Sequence, residues 1–297
     1  MNPQTDTLLI VGLGLIGGSY AQGLRAEGFR VIGLDRDPDT VAYALETGMI
    51  QTGSTDPGDP ALIAEADGII CGLYPNAMVE WILANQQYFR PGIFLTDVSG
   101  VKRAVLERVQ SALRPDVELI GSHPMAGREV SGVWNSDPSI FRGANFIVTP
   151  TERNTEAGIG FAEELGQRLG FGRISRLSPA EHDEMIGYLS QLTHAIAVSL
   201  MNANDHPHLV EYTGDSFRDL TRIAKINEEL WSELFFANRD ILISEIDRFS
   251  AALGEIRKNL SDGDEEGLKE RFRLSTARRR MFEKREIGPV PSYSRQT

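Results

Sequence analysis

Three glycines near the start of the chain have the spacing of a phosphate-binding loop. Gly12, Gly14 and Gly17 follow the apolar run of residues 8–11 and open a helix-like stretch that continues to Gly28. In G-x-G-x-x-G the first glycine permits a tight turn, the second lets backbone approach a pyrophosphate, and the third lets helix pack on strand. Free amides at the helix N-terminus then hold the anion. The predicted dinucleotide loop comprises Gly12, Leu13, Gly14, Leu15, Ile16 and Gly17.

A second apolar run, residues 30–34, ends at Asp35, which lies 23 residues after Gly12. A carboxylate at this position accepts hydrogen bonds from an adenosine ribose and repels a 2′-phosphate. We therefore expect NAD as the cofactor. NADP stays open as the alternative, because Arg36 follows at once and offers a positive charge. The order of strand, loop, helix, strand and acid favours dinucleotide binding over a glycine-rich turn in another kind of α/β protein.

Strand-like and helix-like segments alternate through about residue 176, which predicts a Rossmann-type doubly wound sheet. Strands are expected near residues 7–11, 30–35, 68–72, 93–96, 117–121, 145–149 and 172–176, and helices near 38–48, 76–89, 101–113 and 155–169. Ligands bind at the carboxyl ends of such strands. Besides Asp35, that edge carries Tyr74, Pro75, Ser99, Ser122 and His123. An imidazole titrates near neutrality, so His123 suits a general base, although a structural histidine capping a strand end is the alternative.

The remainder of the chain is expected to be all-α. Ser178, Pro179 and Glu181 form a helix-start signal, and no strand is predicted after them. A later apolar stripe has the spacing of one long helix face: Leu242, Ile246, Phe249, Leu253, Ile256 and Leu260. We expect these helices to form a homodimer, with packing inside one chain as the alternative. The predicted domains are residues 1–176 for the dinucleotide, 177–288 for substrate and dimerisation, and 289–297 as a loose tail.

Composition narrows the classes of partner. The 297 residues carry a formal net charge of −12, which argues against nucleic acid or an anionic membrane as a partner. The N-terminus lacks the features of a signal peptide and no apolar run nears membrane-spanning length, so a cytoplasmic location is expected. Cys71 is the single cysteine, which excludes an intrachain disulfide and a cysteine-rich metal site. Because it lies in an apolar run, we expect a buried thiol on a strand.

Three further segments narrow the choice of family. They are Gly121-Ser-His-Pro-Met-Ala-Gly127, the pair Glu181-His-Asp183 and Ser190-Gln-Leu-Thr-His194, and Phe217-Arg-Asp-Leu-Thr-Arg-Ile-Ala224. In this order, after the glycine loop, they resemble the prephenate/arogenate dehydrogenases of tyrosine biosynthesis from about residue 7 to about 285. The resemblance implies an NAD(P)-dependent oxidative decarboxylation. The ring alcohol loses hydride to nicotinamide and a proton to a base, and carbon dioxide leaves as the ring becomes aromatic, with no metal required.

The resemblance also implies roles for particular residues. His123 matches the histidine that serves as base, and Arg222 matches the arginine that grips a substrate carboxylate; Arg218 is a weaker candidate beside it. His194 matches a histidine of the substrate pocket. Gln191 stands where relatives have another histidine, and Ser190, Gln191 and Ser122 are expected to hydrogen-bond substrate. His182 is expected to be structural or supporting.

One segment departs from the family pattern. Many relatives have D-x-G-S-V-K, in which the serine contacts the catalytic histidine, whereas this chain has Ser99 followed by Gly100. Either Ser99 reaches over, or Ser122 or a water substitutes, or the proton relay is weaker. Lys102 keeps its family position and either orients the loop or is exposed to solvent.

Prephenate is the expected substrate, and arogenate, which has an amino acid side chain in place of the keto acid, is the first alternative. A second alternative is a β-hydroxyacid or imine reductase. It is disfavoured because those enzymes place a catalytic lysine or aspartate on the interdomain helix, where this chain has His182, Gln191 and His194. A nucleotide sensor without turnover is a third, supported only by Gly100.

Overall fold

The computed structural model describes residues 1–282. Its strands are β1 (Thr7–Val11), β2 (Arg30–Leu34), β3 (Thr52–Ser54), β4 (Gly68–Cys71), β5 (Phe94–Asp97), β6 (Glu118–Met125), β7 (Asn145–Thr149) and β8 (Arg173–Arg176). Its helices are α1 (Leu15–Ala26), α2 (Pro38–Glu46), α3 (Pro60–Glu65), α4 (Pro75–Asn85), α5 (Arg103–Gln110), α6 (Glu156–Arg168), α7 (Pro179–Ile186), α8 (Leu192–Asn202), α9 (Asp215–Thr221), α10 (Glu228–Ala237), α11 (Arg239–Asp262) and α12 (Glu265–Arg280).

The eight strands form one sheet in the order β3-β2-β1-β4-β5-β6-β7-β8. Apolar side chains of α3, α4 and α5 pack on one face, and those of α1, α2 and α6 pack on the other. This is the doubly wound architecture that the alternating pattern predicts, and it is confirmed. Because β1 and β4 are neighbours while the chain winds outward on both sides of them, the topological switch point lies between their carboxyl ends.

All seven expected strands are present, and β3 was missed together with α3. Both are too short, at three and six residues, to produce a clear periodic signal. Strand β6 runs four residues beyond its expected end at residue 121, because after Ile120 it leaves β5 and pairs antiparallel with β7. That extension carries His123, opposite Ile147, past the end of β5.

Among residues 177–282 every regular element is helical, as expected. Helix α7 begins with a full capping box, in which the Ser178 and Glu181 side chains each bond the other's backbone amide. A π-helical segment, Gly187–Gln191, joins α7 to α8. The expected long helix is present as α11, and much of its apolar stripe is exposed in the single chain, with Leu253 at 55% and Leu260 at 65%.

The chain divides into two compact units, with the boundary between Leu242 and Ile243. The first unit therefore holds the sheet together with α7 to α10, so it extends past the expected domain boundary at 176/177. The expected limit at residue 288 and the expected tail, 289–297, lie outside the described residues. No helix within residues 1–282 has the length and apolar character needed to cross a membrane.

Candidate active site

The loop between β1 and α1 has the backbone geometry that its glycines predict. Gly12 has φ +87°, and a Cβ on Gly17 would lie 1.9 Å from the Gly12 carbonyl oxygen, so neither position admits a side chain. A Cβ on Gly14 would meet no atom within 4 Å. Helix α1 has no side-chain cap and no acid in its first turn. The loop therefore leaves open space in front of uncapped helix amides, which is the arrangement that an anionic phosphate needs.

Asp35 stands at the carboxyl end of β2, beside this loop. One of its carboxylate oxygens accepts from the Leu13 amide at 2.7 Å, and the other accepts from the Asp37 amide at 3.0 Å. The side chain stays partly accessible, so it retains lone pairs for a ribose hydroxyl. Arg36 is exposed next to it. The structure thus brings the loop and the acid together as the sequence predicts.

Tyr74 and Pro75 lie where β4 ends and α4 begins, across the switch point from the glycine loop. Pro75 is buried at the first position of α4. The Tyr74 ring is partly exposed, and its hydroxyl accepts a hydrogen bond from the Asn227 side-chain amide at 2.9 Å. These two residues therefore border the crevice in which a dinucleotide would lie.

A buried ion pair organises the loop after β5. Lys102 Nζ lies 2.6 Å from Asp97 Oδ2, and both side chains are fully buried. The Asp97 carboxylate also accepts from the backbone amides of Ser99, at 3.0 Å, and Ser122, at 2.9 Å. The alternative that Lys102 is exposed to solvent is therefore wrong, because its charge is needed to neutralise a buried carboxylate. The pair ties the β5–α5 loop to the strand that carries His123.

Neither nearby serine hydroxyl bonds His123. Ser99 Oγ accepts from the Val101 amide at 3.4 Å, and Ser122 Oγ donates to the Asp97 carbonyl at 2.7 Å. A Cβ on Gly100 would lie 3.9 Å from His123 Cε1, so residue 100 is the position beside the imidazole. Ser99 lies in the β5–α5 loop and Ser122 on β6, both buried, so the geometry supports neither the expected bond of Ser99 to the imidazole nor the expected contact of Ser122 with substrate.

The imidazole of His123 belongs to a hydrogen-bonded series that sequence reasoning did not foresee. His123 Nδ1 lies 2.8 Å from His182 Nε2, and His182 Nδ1 lies 2.8 Å from Asp183 Oδ1. Asp183 also accepts from the backbone amides of Lys102 and Arg103, both at 2.9 Å, at the start of α5. His182 and Asp183 are buried, whereas His123 is partly accessible. The sequence signal was the Glu181-His-Asp183 segment, but its contact partner is 59 residues away.

The surroundings of both imidazoles favour the neutral form. Burial lowers the pKa of His123 well below 6.5, and the neighbouring His182 ring and the Lys102 charge lower it further. Burial also lowers the pKa of His182, although its hydrogen bond to Asp183 opposes that shift. A partly accessible, neutral imidazole at the ligand-binding edge of the sheet can accept a proton.

Gln191 closes the π-helical segment and is almost completely buried. Its amide nitrogen donates to the Leu234 carbonyl at 2.9 Å, and its amide oxygen accepts from Asn238 at 2.8 Å. Asn238 donates in turn to the Asp183 carbonyl at 2.9 Å. Because both ends of the Gln191 amide are engaged inside the protein, the geometry does not support the expected contact with substrate. It gives Gln191 a place in the packing that holds Asp183.

His194 and Arg222 form a second polar group near the loop that leaves β6. The His194 ring stacks on Trp231 with centroids 3.6 Å apart, and its Nδ1 donates to the Ser190 carbonyl at 2.9 Å. Arg222 has 63% of its side chain exposed and forms an ion pair with Glu129, six residues after His123. Burial lowers the pKa of His194, while Glu129 and Arg222 act on it in opposite directions. Sequence reasoning missed Glu129 and Trp231, which have no spacing relation to Arg222.

Comparisons with known proteins address the family directly. The family model described as the prephenate dehydrogenase nucleotide-binding domain matches residues 20–170, and the model described as the prephenate dehydrogenase dimerization domain matches residues 178–274. The chain belongs to this family. The family is one of oxidoreductases, and the resemblance inferred from the sequence is confirmed.

Relatives match over nearly the whole chain. A prephenate dehydrogenase of Bacillus subtilis is 27% identical over 311 residues, which covers 99% of this chain and 80% of that protein. A cyclohexadienyl dehydrogenase of Zymomonas mobilis is 28% identical over 275 residues, covering 90% and 93%. A crystal structure of prephenate dehydrogenase from A. aeolicus, in complex with hydroxyphenyl propionate and NAD⁺, is 26% identical with a TM-score of 0.86, covering 94% of this chain and 98% of that one.

Proposed function

We propose that this protein is a prephenate dehydrogenase that uses NAD and carries out the oxidative decarboxylation of prephenate to 4-hydroxyphenylpyruvate in tyrosine biosynthesis. The observation that carries the proposal is the position of His123, whose Nδ1 lies 2.8 Å from His182 Nε2 at the edge of a sheet whose glycine loop suits a dinucleotide. Arogenate, converted to tyrosine, is the alternative substrate.

The residues present fit NAD. The open space at Gly14, the uncapped start of α1 and the accessible carboxylate of Asp35 match a pyrophosphate and a ribose diol. NAD, when bound, supplies the acceptor for the hydride that leaves the ring carbon bearing the hydroxyl. Tyr74 and Pro75 border the same crevice. Asp35 repels a 2′-phosphate, so NADP is the weaker candidate in spite of Arg36.

His123 acts as base and then as acid. Its ring nitrogen takes the hydroxyl proton while the ring carbon is oxidised to a carbonyl. The ring carboxylate then leaves as carbon dioxide, and its bonding electron pair enters the ring, which becomes aromatic and places negative charge on the oxygen. His123 returns its proton to that oxygen. The proton balance closes at one imidazole, so the reaction needs no path that releases a proton to solvent.

The substrate carries two carboxylates, and the chain as a whole is acidic, so a local cation must bind them. Arg222 matches the arginine that binds a substrate carboxylate in this family, and its guanidinium is accessible. It can hold a carboxylate by two charge-assisted hydrogen bonds. To do so it must exchange its bond with Glu129 for one with substrate. His194 and Ser190, which are hydrogen-bonded to each other, belong to the same polar group as Arg222. This assignment makes Glu129 a competitor for the arginine.

The second part of the proposal is a homodimer through the C-terminal helices. The matching domain model is described as a dimerization domain, and α11 and the following helix expose a series of large apolar side chains: Ile246, Phe249, Leu253, Leu260, Phe272 and Leu274. Unpartnered apolar faces of this extent fit a second copy of the chain. We retain the expectation of a cytoplasmic enzyme, which rests on the sequence features described above.

Absorbance at 340 nm tests the function. Purified protein is offered prephenate and arogenate in turn, each with NAD and with NADP. The proposal expects the fastest reduction with prephenate and NAD. Faster turnover of arogenate would reassign the substrate, and the absence of a signal in all four mixtures would support a nucleotide sensor without turnover.

The pH dependence of kcat/KM follows from the pKa of His123. The base must be neutral, so activity is present above its pKa and is lost as the pH falls through it. Because that pKa lies well below 6.5, kcat/KM is expected to be level between pH 6.5 and 8 and to fall only at lower pH. Enzyme returned to pH 7.5 after each assay controls for acid inactivation. An acidic limb centred above 6.5 would contradict the assignment.

Arg222→Ala is expected to raise KM for the ring substrate by about 10- to 100-fold, the cost of losing a charge-assisted pair, with a smaller change in kcat. Arg218→Ala is the matched control. Arg218 bonds Asp215 and the Thr213 carbonyl at the surface, so its loss is expected to change KM by less than about threefold. An unchanged KM in the Arg222 variant would remove this residue from the substrate site.

A further inference from the structure

The chemistry of a carboxylate decides where the protons lie in the series of His123, His182 and Asp183. A carboxylate only accepts hydrogen bonds, so the 2.8 Å contact between Asp183 Oδ1 and His182 Nδ1 requires the proton on Nδ1. A neutral His182 then has a lone pair on Nε2. That lone pair can only accept, so the 2.8 Å contact with His123 requires the proton on His123 Nδ1. The lone pair of His123 is thereby left on Nε2.

We propose that His182 and Asp183 are positioning residues that lock His123 in the Nδ1–H tautomer and so keep its Nε2 free to take the substrate proton. The inference rests on the proposed function for the use of that nitrogen, but the tautomer itself depends only on the protein. Neither residue touches the reacting atoms. Their effect is transmitted through one hydrogen bond to the base.

The position of Asp183 is fixed from three sides. Its two oxygens accept from the Lys102 and Arg103 amides, so this residue of α7 caps α5, which has no side-chain cap of its own. Its carbonyl is held by Asn238. Since the carboxylate is already committed to two amides, it cannot rotate to release the His182 proton. The orientation of both rings is therefore set by backbone of the sheet domain.

No competing partner determines the His123 tautomer within residues 1–282. Its only side-chain hydrogen bond there is to His182, and the hydroxyls of Ser99 and Ser122 are bonded elsewhere. Gly100, beside Cε1, has no side-chain polar atom to offer. The lock is thus the sole device in the described structure that distinguishes the two ring nitrogens of the base.

The test reads the tautomer directly, by ¹⁵N multiple-bond correlation spectra of the full-length protein labelled at its five histidines, near pH 7.5 without substrate or cofactor. Signals are assigned by single replacements of each histidine. The inference expects His123 and His182 to be neutral, with the proton on Nδ1 in both. A His123 proton on Nε2, or rapid averaging between the two nitrogens, would overturn it.

Asp183→Ala removes the acceptor on which the lock depends. Without a carboxylate oxygen to receive it, the His182 proton is free to move to Nε2, and the His123 proton then moves onto its own Nε2. We expect the spectra of His123 to lose the pure Nδ1–H pattern, and kcat to fall by about 100-fold or more, since the wrong tautomer has a comparable effect in the serine-protease triad. Asp116→Ala, at an exposed carboxylate paired with Arg114, is the matched control and should alter neither readout.

A second pair of variants covers the case in which the Asp183 variant does not fold. His182→Gln keeps a donor toward Asp183 and an acceptor toward His123, so it should retain the Nδ1–H tautomer. His182→Leu removes both and should lose it. If the two variants give the same His123 tautomer, the lock is refuted. If the spectra agree with the lock but no substrate is oxidised, the proposed function fails while the tautomer assignment stands.

Discussion

Replacing His123 with asparagine is expected to lower kcat by roughly 10²- to 10⁴-fold, the usual contribution of a general base, while NAD affinity stays near that of the wild type. The amide can still donate to His182 from about the position of Nδ1, so the buried series keeps a partner and the fold should persist. What is lost is the second ring nitrogen, which asparagine does not possess. The cofactor loop is untouched, since Gly12 and Gly14 follow β1 and Asp35 follows β2.

The measurements are steady-state kinetics with the better ring substrate and NAD titration by fluorescence. His206→Asn, at an exposed histidine in the loop after α8, is the control for a histidine-to-asparagine change as such. If the His123 variant keeps full activity from pH 5 to 9, another group is the base. If NAD binding falls along with kcat, the variant has disturbed the domain and the result does not support the assignment.

Lys102→Met is expected to lower the free energy of unfolding by about 3–5 kcal/mol, because removing one member of a buried ion pair leaves an uncompensated charge. Asp97 would keep its bonds to the Ser99 and Ser122 amides but lose its only neutralising cation in the described structure. Urea unfolding followed by circular dichroism measures the change. Lys258→Met, which breaks an exposed pair with Asp262, should cost less than about 1 kcal/mol.

The same variant has a second expected effect. Because the Lys102 charge contributes to the lowered pKa of His123, its removal should move the acidic limb of kcat/KM toward higher pH. A loss of stability below about 1 kcal/mol would mean that the buried carboxylate is not charged as the ion pair requires. If the acidic limb of kcat/KM does not move, Lys102 stabilises the loop but does not affect the pKa of His123.

Local signals in the sequence predicted those parts of the site that depend on neighbours in the chain. The spacing of Gly12, Gly14 and Gly17 is itself the geometry of one turn, and Asp35 follows from the length of one helix and one strand. The capping box at Ser178 is likewise complete within four residues. Each of these could be read without knowing where the rest of the chain lies.

Contacts between distant segments could not be predicted in this way. His123 meets His182 across 59 residues, and Arg222 meets Glu129 across 93. The burial of Lys102 contradicts the ordinary preference of lysine for solvent, and only the position of Asp97 explains it. Gln191 was assigned to substrate because of its place in the family pattern, whereas the packing around the π-helical segment uses both ends of its amide.

The capping of α5 by Asp183 has a consequence for modularity. A fragment that stopped at residue 176 would contain every strand of the sheet, yet it would lack the carboxylate that receives the first amides of α5 and the ring that supports His123. The Lys102 and Arg103 amides would then lack their acceptor, although the ion pair of Lys102 with Asp97 would remain. If the helical half is exchanged between homologues, by recombination or by design, the new half must therefore supply a carboxylate at position 183 that fits the start of α5.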